Sequence, residues 1–205
     1  DESLKKEISD LSPNMIGVPF FTRRYTDTKL LLDKLKCWFP DVCLVVGGSH
    51  ASALPKEVLK EIDSVDVVVI GEGEKTIVQL IESLGKDSLG NIKGIAYRSN
   101  GSIIVTEQPE SIDNLDNLPY PDLLQIDPRK CRIHPPYGWY GLPLTMITTR
   151  GCPGRCVFCS KAVFKNSLRS QSPKRIVDEI EHWKAKLPIK EIRFFDDDFT
   201  ITRKR

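Results

Sequence analysis

In the first half of the chain, short apolar runs alternate with segments of helical periodicity, and two of these runs close on glycines. Residues 42–46 are followed by a Gly-Gly pair, and residues 65–70 are followed by Gly-Glu-Gly-Glu. A β-branched run that closes on glycine is typical of a buried strand followed by a tight turn. Strands that alternate with helices predict a parallel sheet with helices on both faces, in which ligands bind beyond the carboxyl ends of the strands.

The same periodicities give the limits of the predicted elements. Helices are predicted over residues 26–39, 55–62 and 75–84, and strands over residues 15–20, 42–46 and 65–70. Residues 92–98 and 103–107 form a predicted hairpin, because an Asn-Gly turn lies between them. The prediction is an α/β domain over residues 1–107, built on a partial doubly wound parallel sheet.

Regular periodicity fades between residues 108 and 142, where six prolines accompany several Asp and Asn residues. This composition predicts a linker between two domains. A strand over residues 143–149, a helix over 173–187 and a strand over 189–195 then predict a second domain at 143–205. One and a half β/α units do not bury both faces of a sheet. We therefore expect both ends to be cut and the chain to be an inactive fragment of a longer protein.

The overall composition argues against several classes of protein. An apolar fraction of 40% and a charged fraction of 28% are those of an ordinary globular protein. The net charge of +2, with both signs mixed along the chain, gives no reason to expect binding to nucleic acid. No apolar run is long enough to span a membrane, and no leader sequence opens the chain, so we expect a cytoplasmic location.

Three of the six cysteines fall within eight residues, which indicates metal or redox chemistry rather than a disulfide framework. Cys152, Cys156 and Cys159 are spaced as C-x3-C-x2-C. Pro153 and Gly154 prevent a continuous helix, so the segment is predicted to be a loop that surrounds one centre. Thiolates select zinc or iron–sulfur centres. A four-iron cluster usually has four cysteine ligands, so three would leave one iron open to an exogenous molecule.

A zinc site is the alternative interpretation of these cysteines. Cys131 and His134 lie upstream of the loop, and either side chain could complete a closed site of four ligands. A three-residue gap followed by a two-residue gap is not the paired C-x2-C arrangement common in zinc modules, so the spacing favours the cluster. Cys37 and Cys43 lack ligand spacing, so neither is predicted to bind iron.

The cysteine motif, placed just after a predicted strand, resembles that of the radical S-adenosylmethionine superfamily. The resemblance implies a partial β/α (TIM-type) barrel and a [4Fe–4S] cluster on the three cysteines, at which S-adenosylmethionine is cleaved to a 5′-deoxyadenosyl radical. It implies that Phe158 packs near the adenine, with plain apolar packing as the alternative. Asp196 and Asp197 would accept hydrogen bonds from the ammonium group of the cofactor, or else be solvated acids at a strand end.

The glycine-rich turns of the first domain resemble two loops of the cobalamin-binding domain that precedes many such cores, and residues 195–200 resemble the aspartate-rich version found in the cobalamin-linked branch. Glycines let backbone approach a bulky ligand, and helix N-termini favour its phosphate. The Asp-x-His-x-x-Gly ligand motif of stand-alone cobalamin domains is not present. His50 is either a cobalt ligand or, as is usual for a histidine near a glycine turn, structural or solvent-facing. The candidate cobalamin-binding residues are Gly47, Gly48, Ser49, His50, Gly71, Glu72, Gly73 and Glu74.

The resemblance implies an enzyme that acts on a small-molecule substrate, with the iron–sulfur cluster, S-adenosylmethionine and cobalamin as cofactors. Methylation of carbon is the expected reaction. Oxidative ring closure, as in anaerobic magnesium-protoporphyrin monomethyl ester cyclisation, is an alternative. A reducing partner such as flavodoxin or ferredoxin would supply the electron. The alternative from a different class is a zinc-stabilised binding module.

Overall fold

The computed structural model describes residues 2–85, 89–125 and 141–201. The chain divides into two compact units. The first unit is Asp1–Ser111 with Ser160–Val163, and the second is Ile112–Cys159 with Phe164–Arg205. No helix within the three described ranges is long and apolar enough to cross a membrane.

The first unit is built on one five-stranded sheet in which strand order follows chain order. The strands are β1 (Met15–Pro19), β2 (Cys43–Gly47), β3 (Val67–Val69), β4 (Ile95–Ser99) and β5 (Ser102–Val105). The first three are parallel, whereas β4 is antiparallel to both β3 and β5. Asn100 and Gly101 both have positive φ, and this Asn-Gly turn reverses the chain between β4 and β5.

Helices cover both faces of this sheet. They are α1 (Glu2–Leu11), α2 (Tyr25–Trp38), α3 (Ser49–Ala53), α4 (Pro55–Glu61) and α5 (Gly73–Ser83). Val46 and Val68 share a buried cluster with Leu32 of α2. Val45 shares a second cluster with Leu80 of α5, because successive side chains of a strand point to opposite faces. The predicted α/β class is confirmed, and the predicted hairpin joins the sheet and makes it mixed rather than wholly parallel.

The second unit contains one β-α-β unit and a short ladder. Its elements are β6 (Leu142–Met146), β7 (Thr149–Arg150), β8 (Arg169–Ser170), α6 (Pro173–Lys186) and β9 (Ile189–Phe194). β6 pairs in parallel with β9, and β7 pairs antiparallel with β8. Leu144 of β6 and Ile189 of β9 share a buried cluster with Trp183 of α6. The strand predicted over 143–149 is therefore interrupted, since β6 ends at Met146 and a separate ladder begins at Thr149.

Part of the stretch predicted as a linker packs against α6. Leu115 is buried, and Tyr120 contacts the cluster that contains Trp183. The Arg175 guanidinium of α6 lies 3.7 Å from the centre of the Tyr120 ring and donates a hydrogen bond of 2.7 Å to Leu118 O. Residues 112–125 are thus attached to the second unit. The predicted limits of the linker stay a prediction.

Candidate functional site

The loops after β1, β2 and β3 meet at one edge of the first unit, because these strands are parallel. Hydrogen bonds join the three loops. Phe20 N, just after β1, donates to Gly47 O at 2.6 Å, and His50 N donates to Phe20 O at 3.2 Å. Gly71 N, after β3, donates to the Ser52 hydroxyl at 2.9 Å. The structure therefore brings both predicted glycine-rich loops to the same edge.

Two glycines at this edge have a positive φ and pack closely against other parts of the first unit. Gly48 has a φ of +106°, and a Cβ atom there would lie 3.1 Å from Phe20 O. Gly71 has a φ of +74°, and a Cβ atom there would lie 3.2 Å from the Pro109 side chain. A side chain at either position would be strained and crowded, so glycine is required for these loops to pack at this edge.

His50 is packed inside the first unit. Only 8% of the residue is exposed, and its Nδ1 atom lies 3.0 Å from the Thr22 hydroxyl. Its ring centre lies 4.8 Å from that of Phe20 and 5.4 Å from that of Tyr25. This packing favours the structural role for the histidine, and its role as a cobalt ligand stays a prediction.

The other predicted cobalamin-binding residues differ in exposure. Ser49 is exposed at the first residue of α3, and Glu74 is exposed in the first turn of α5. Glu72, directly before α5, is buried, and Gly73 begins that helix. The polar groups of this edge that face solvent thus include one hydroxyl and one carboxylate at helix starts.

The cysteine loop of the second unit begins directly after β7. The ladder at its base pairs Thr149 with Ser170 and Arg150 with Arg169, so the chain returns beside its starting point. Gln171 N also donates to Thr148 O at 2.9 Å. The described loop is therefore closed at its base by backbone pairing.

Within the loop, a bare position separates two of the cysteine sulfurs. Cys152 is half-exposed, and Cys156 and Cys159 are exposed. A Cβ atom built on Gly154 would lie 3.3 Å from the Cys152 sulfur and 3.9 Å from the Cys156 sulfur. Cys159 N donates to Cys156 O at 3.1 Å, which turns the chain between the second and third cysteines. The sulfurs of Cys152 and Cys156 therefore both lie next to the position that a side chain at residue 154 would occupy.

The three thiols fit a four-iron cluster by their chemistry, because thiolates select zinc or iron–sulfur centres. In such a cluster each cysteine thiolate binds a different iron, so the sulfurs surround a volume and do not converge on one point. Within residues 2–85, 89–125 and 141–201, no group of three His, Cys, Asp or Glu side chains converges on a position for one metal ion. The zinc candidates Cys131 and His134 lie outside the described residues.

Gly151, directly before the first loop cysteine, permits the closest backbone approach in the loop. Its φ is +79°, and a Cβ atom there would collide with Ser167 O and lie 3.0 Å from Phe164 O. The neighbouring Arg150 guanidinium lies 5.5 Å from the centre of the Phe164 ring. Glycine is therefore required at position 151 for the loop to fold back on itself.

The strand-end acids lie at the same edge of the second unit as the start of the loop, because β6 and β9 are parallel. Asp196 is half-buried and accepts hydrogen bonds from the backbone and hydroxyl groups of both Thr148 and Thr149. Asp197 is exposed, and 89% of Phe158 is exposed. Neither threonine was predicted as part of the site, although two consecutive hydroxyl residues stand shortly before the Gly-Cys pair in the sequence.

Cys43 and Cys37 belong to the first unit, whereas the three loop cysteines belong to the second. Cys43 is half-buried in β2, and burial raises its pKa to about 11, with a further increase from the Asp66 carboxylate. Cys37 is exposed on α2. A thiol that holds its proton this tightly is a poor metal ligand, because metals bind the thiolate.

Both halves of the chain match known protein families. Residues 1–81 match the model of the B12 binding domain, and residues 146–205 match that of the radical SAM superfamily. The second match includes the whole cysteine loop. The cobalamin, iron–sulfur and S-adenosylmethionine cofactors predicted from the sequence are those of these two families.

Two curated relatives align along almost the whole chain. An uncharacterized methyltransferase of Pyrococcus horikoshii is 33% identical over 207 residues, which cover 98% of this chain and 43% of that protein. The anaerobic magnesium-protoporphyrin IX monomethyl ester cyclase of Rubrivivax gelatinosus is 29% identical over 213 residues, which cover 100% of this chain and 37% of that protein. The chain thus spans less than half the length of these relatives.

A solved structure of similar fold is the radical S-adenosylmethionine methyltransferase TsrM of Kitasatospora setae. With tryptophan and a cofactor analogue bound, it aligns with a TM-score of 0.71 at 18% identity, over 99% of this chain and 40% of TsrM. With cobalamin and a [4Fe–4S] cluster bound, it aligns with a TM-score of 0.66 at 20% identity, over 91% of this chain and 38% of TsrM. At this identity the likeness shows the fold alone.

The family assignment rests on the two family matches and on the relatives that span both of them. From these matches, the chain belongs to the radical S-adenosylmethionine superfamily, in the branch that carries a cobalamin-binding domain.

Proposed function

We propose that this chain is part of an enzyme that cleaves S-adenosylmethionine at a [4Fe–4S] cluster and methylates carbon with the help of cobalamin. Cys152, Cys156 and Cys159 would hold the cluster. The observation that carries the proposal is the bare position at Gly154, with two cysteine sulfurs within 4 Å of it. A space flanked by thiols suits a centre whose thiolates bind separate irons.

When bound, the cluster supplies the electron that cleaves S-adenosylmethionine, and cobalamin supplies a carrier for the methyl group. Three thiolate ligands would leave one iron without a protein ligand, open to the amino and carboxylate groups of S-adenosylmethionine. The exposed Phe158 ring would be removed from water by packing on the adenine. The exposed Asp197 carboxylate, at the end of β9, would accept hydrogen bonds from the cofactor's ammonium group.

In the first unit, the chain's own contribution is a glycine-rich edge fixed by its own hydrogen bonds. The loops that contain Gly48 and Gly71 would lie against the corrin or its nucleotide tail. Exposed Ser49 would hydrogen-bond to a polar group of the ligand. A small reducing protein such as flavodoxin or ferredoxin would deliver the electron, and the substrate would be a small molecule.

Oxidative ring closure is the second candidate function. It is favoured by the alignment of the Rubrivivax gelatinosus cyclase along the whole chain at 29% identity. Methyl-labelled S-adenosylmethionine distinguishes the two reactions. Label recovered outside the S-adenosylmethionine and methionine pools supports methyl transfer, whereas label that stays entirely in methionine supports ring closure.

The direct test is electron paramagnetic resonance of the anaerobically purified protein, reconstituted with iron and sulfide and then reduced. We expect a cluster signal that changes when S-adenosylmethionine is added, because the cofactor binds the open iron. A colourless protein that holds one tightly bound zinc ion would contradict the proposal and support the binding module instead.

Substitution of Gly154 by alanine tests whether the position next to the Cys152 and Cys156 sulfurs must stay free of a side chain for the cluster to bind. The added methyl group would contact both cysteine sulfurs, so we expect Gly154→Ala to lower the iron content per chain. The free energy of unfolding of the apoprotein should stay within about 0.5 kcal/mol of that of the wild type. Gly17→Ala is the matched control, because nothing lies within 4 Å of the added methyl group in β1. Full iron content in Gly154→Ala would remove the support that this position gives.

A further inference from the structure

Asp196 makes an unusually complete set of hydrogen bonds for an acid at a strand end. Its Oδ1 atom accepts from Thr148 N at 2.7 Å, from Thr149 Oγ1 at 2.6 Å and from Thr149 N. Its Oδ2 atom accepts from Thr148 Oγ1 at 2.8 Å. A carboxylate offers about two acceptor positions on each oxygen. The three donors saturate Oδ1, and Oδ2 keeps one further position, so most of the acceptor capacity of Asp196 is used within the protein.

The two threonines lie at the point where the cysteine loop leaves the sheet. Thr148 has no exposed surface, and 5% of Thr149 is exposed. Thr149 is the first residue of β7, and Thr148 O accepts the bond from Gln171 N that continues the base of the loop. Asp196 therefore fixes the segment that sets the direction of the chain three residues before Cys152.

The acid reaches this segment from a distant part of the sequence. Asp196 follows β9, and Phe195 N donates to Met146 O at 2.8 Å, so the parallel pairing of β6 and β9 continues up to the acid. One residue beyond that bond, the Asp196 side chain continues the connection through its hydrogen bonds to Thr148 and Thr149. The adjacent Asp197 is exposed at the same edge.

We propose that Asp196 is a positioning residue for the cluster loop: its carboxylate, bound by the backbone and hydroxyl groups of Thr148 and Thr149, sets the base from which the cysteines are presented. The contact to S-adenosylmethionine then belongs to the exposed Asp197, which Asp196 holds at the edge where the loop begins. This inference rests on the proposed cluster at the three cysteines. It divides the strand-end acids into one that orders the protein and one that faces the cofactor.

A pair of substitutions at Asp196 separates this role from direct binding of the cofactor. Asp196→Asn keeps one acceptor oxygen, and its amide can donate to the Thr148 hydroxyl, so the turn is preserved while the charge is lost. Asp196→Ala removes every one of these bonds. After reconstitution and dilution, we expect the iron retained per chain to be about 10-fold lower in Asp196→Ala than in wild type, as for other residues that orient metal ligands. Asp196→Asn should retain nearly as much iron as wild type.

A third variant tests the threonine side of the contact. Thr149→Val removes one hydroxyl donor without changing any charge, so we expect cluster retention between that of wild type and that of Asp196→Ala. In the apoprotein, the amides of Thr148 and Thr149 should exchange hydrogen faster in Asp196→Ala than in wild type. Asp178→Asn, in a surface ion pair on α6 with Lys174, is the matched control and should leave retention and exchange unchanged.

The readouts distinguish failure of the inference from failure of the proposed function. If wild type takes up no cluster, the proposed function fails, and hydrogen exchange at Thr148 and Thr149 still reports whether Asp196 holds the turn. If wild type takes up the cluster and both Asp196 variants retain it fully but lose the spectral response to S-adenosylmethionine, then Asp196 contacts the cofactor and the inference is wrong. Retention lost in Asp196→Ala and restored in Asp196→Asn supports it.

Discussion

The glycine-rich edge of the first unit and the cysteine loop of the second unit are held in different ways. The edge is tied across its width, because Phe20 bonds to the loop after β2 and Ser52 bonds to the loop after β3. The cysteine loop is closed at its base by β7 and β8, while Cys156, Phe158 and Cys159 are exposed. The glycine-rich edge is thus fixed by contacts within the first unit, whereas the exposed thiols are supported only at the base of their loop. Substitutions at the glycine-rich edge should therefore alter stability, and substitutions of the thiols should alter metal content.

Loss of a loop thiol is the largest effect that we expect. Cys159→Ala should abolish cluster assembly, because the cluster would lose one of its three protein ligands. The free energy of unfolding of the apoprotein should stay within about 0.5 kcal/mol of that of the wild type, because the side chain is exposed. Iron and sulfide per chain, together with urea unfolding of the apoprotein, measure the two quantities. Cys37→Ala, an exposed thiol on α2, is the control and should keep full iron content. A Cys159→Ala variant with full iron would remove this thiol from the ligand set.

The base of the loop should behave as part of the fold. In Gly151→Ala, an alanine must adopt a left-handed backbone conformation, which lowers the free energy of unfolding by about 1–2 kcal/mol. The added methyl group also clashes with the backbone at Ser167, which lowers it by about 1–3 kcal/mol more. We expect loss of both stability and iron, measured by urea unfolding and iron content. Gly101→Ala has nearly the same φ, +75° against +79°, with nothing within 4 Å of the added methyl group, so it isolates the backbone term. Equal losses in the two variants would mean that the contact with Ser167 relaxes freely.

Local pattern was enough to predict most elements. The helix predicted over 26–39 is found at Tyr25–Trp38, and the helix predicted over 173–187 is found at Pro173–Lys186. The latter begins at its predicted first residue, where the Ser172 hydroxyl accepts a hydrogen bond from Arg175 N at 3.1 Å and caps the helix. These features depend on residues within a few positions of each other, so a reading of periodicity and capping residues finds them.

Features that depend on distant residues were not predicted. The strand predicted over 143–149 breaks after Met146, where Thr148 bonds to Asp196, 48 residues along the chain. The collision that requires glycine at position 151 arises from the later residue Ser167. The spacing of the cysteines predicted a candidate centre, but only the fold reveals which residues support it, because periodicity carries no record of a contact between separate segments.

Substitution of His50 tests whether contacts within the first unit stabilise the glycine-rich edge in the absence of cobalamin. His50→Ala should lower the free energy of unfolding by about 2–3 kcal/mol, because it leaves a cavity between Phe20 and Tyr25 and removes the partner of the Thr22 hydroxyl. Urea unfolding without cobalamin measures this loss. Thr22→Val removes only the hydroxyl, and we expect a loss of about 1 kcal/mol. An unchanged stability in His50→Ala would instead favour a role for the histidine in binding the ligand.

Cys43 gives the smallest effect and compares a buried thiol with the exposed ones. Burial, and next the Asp66 carboxylate, raise its pKa from 9.0 to about 11. The folded state therefore binds the proton more tightly than the unfolded state, so stability is full below about pH 9 and falls as the pH rises toward 11. Partial exposure should limit this loss to about 1 kcal/mol. Cys43→Ala should remove that part of the pH dependence, measured by urea unfolding from pH 8 to 11.

The rate of alkylation compares the two thiols of the first unit directly. Alkylation at pH 8 should be slower at Cys43 than at exposed Cys37. Equal rates would mean that β2 does not protect the Cys43 thiol.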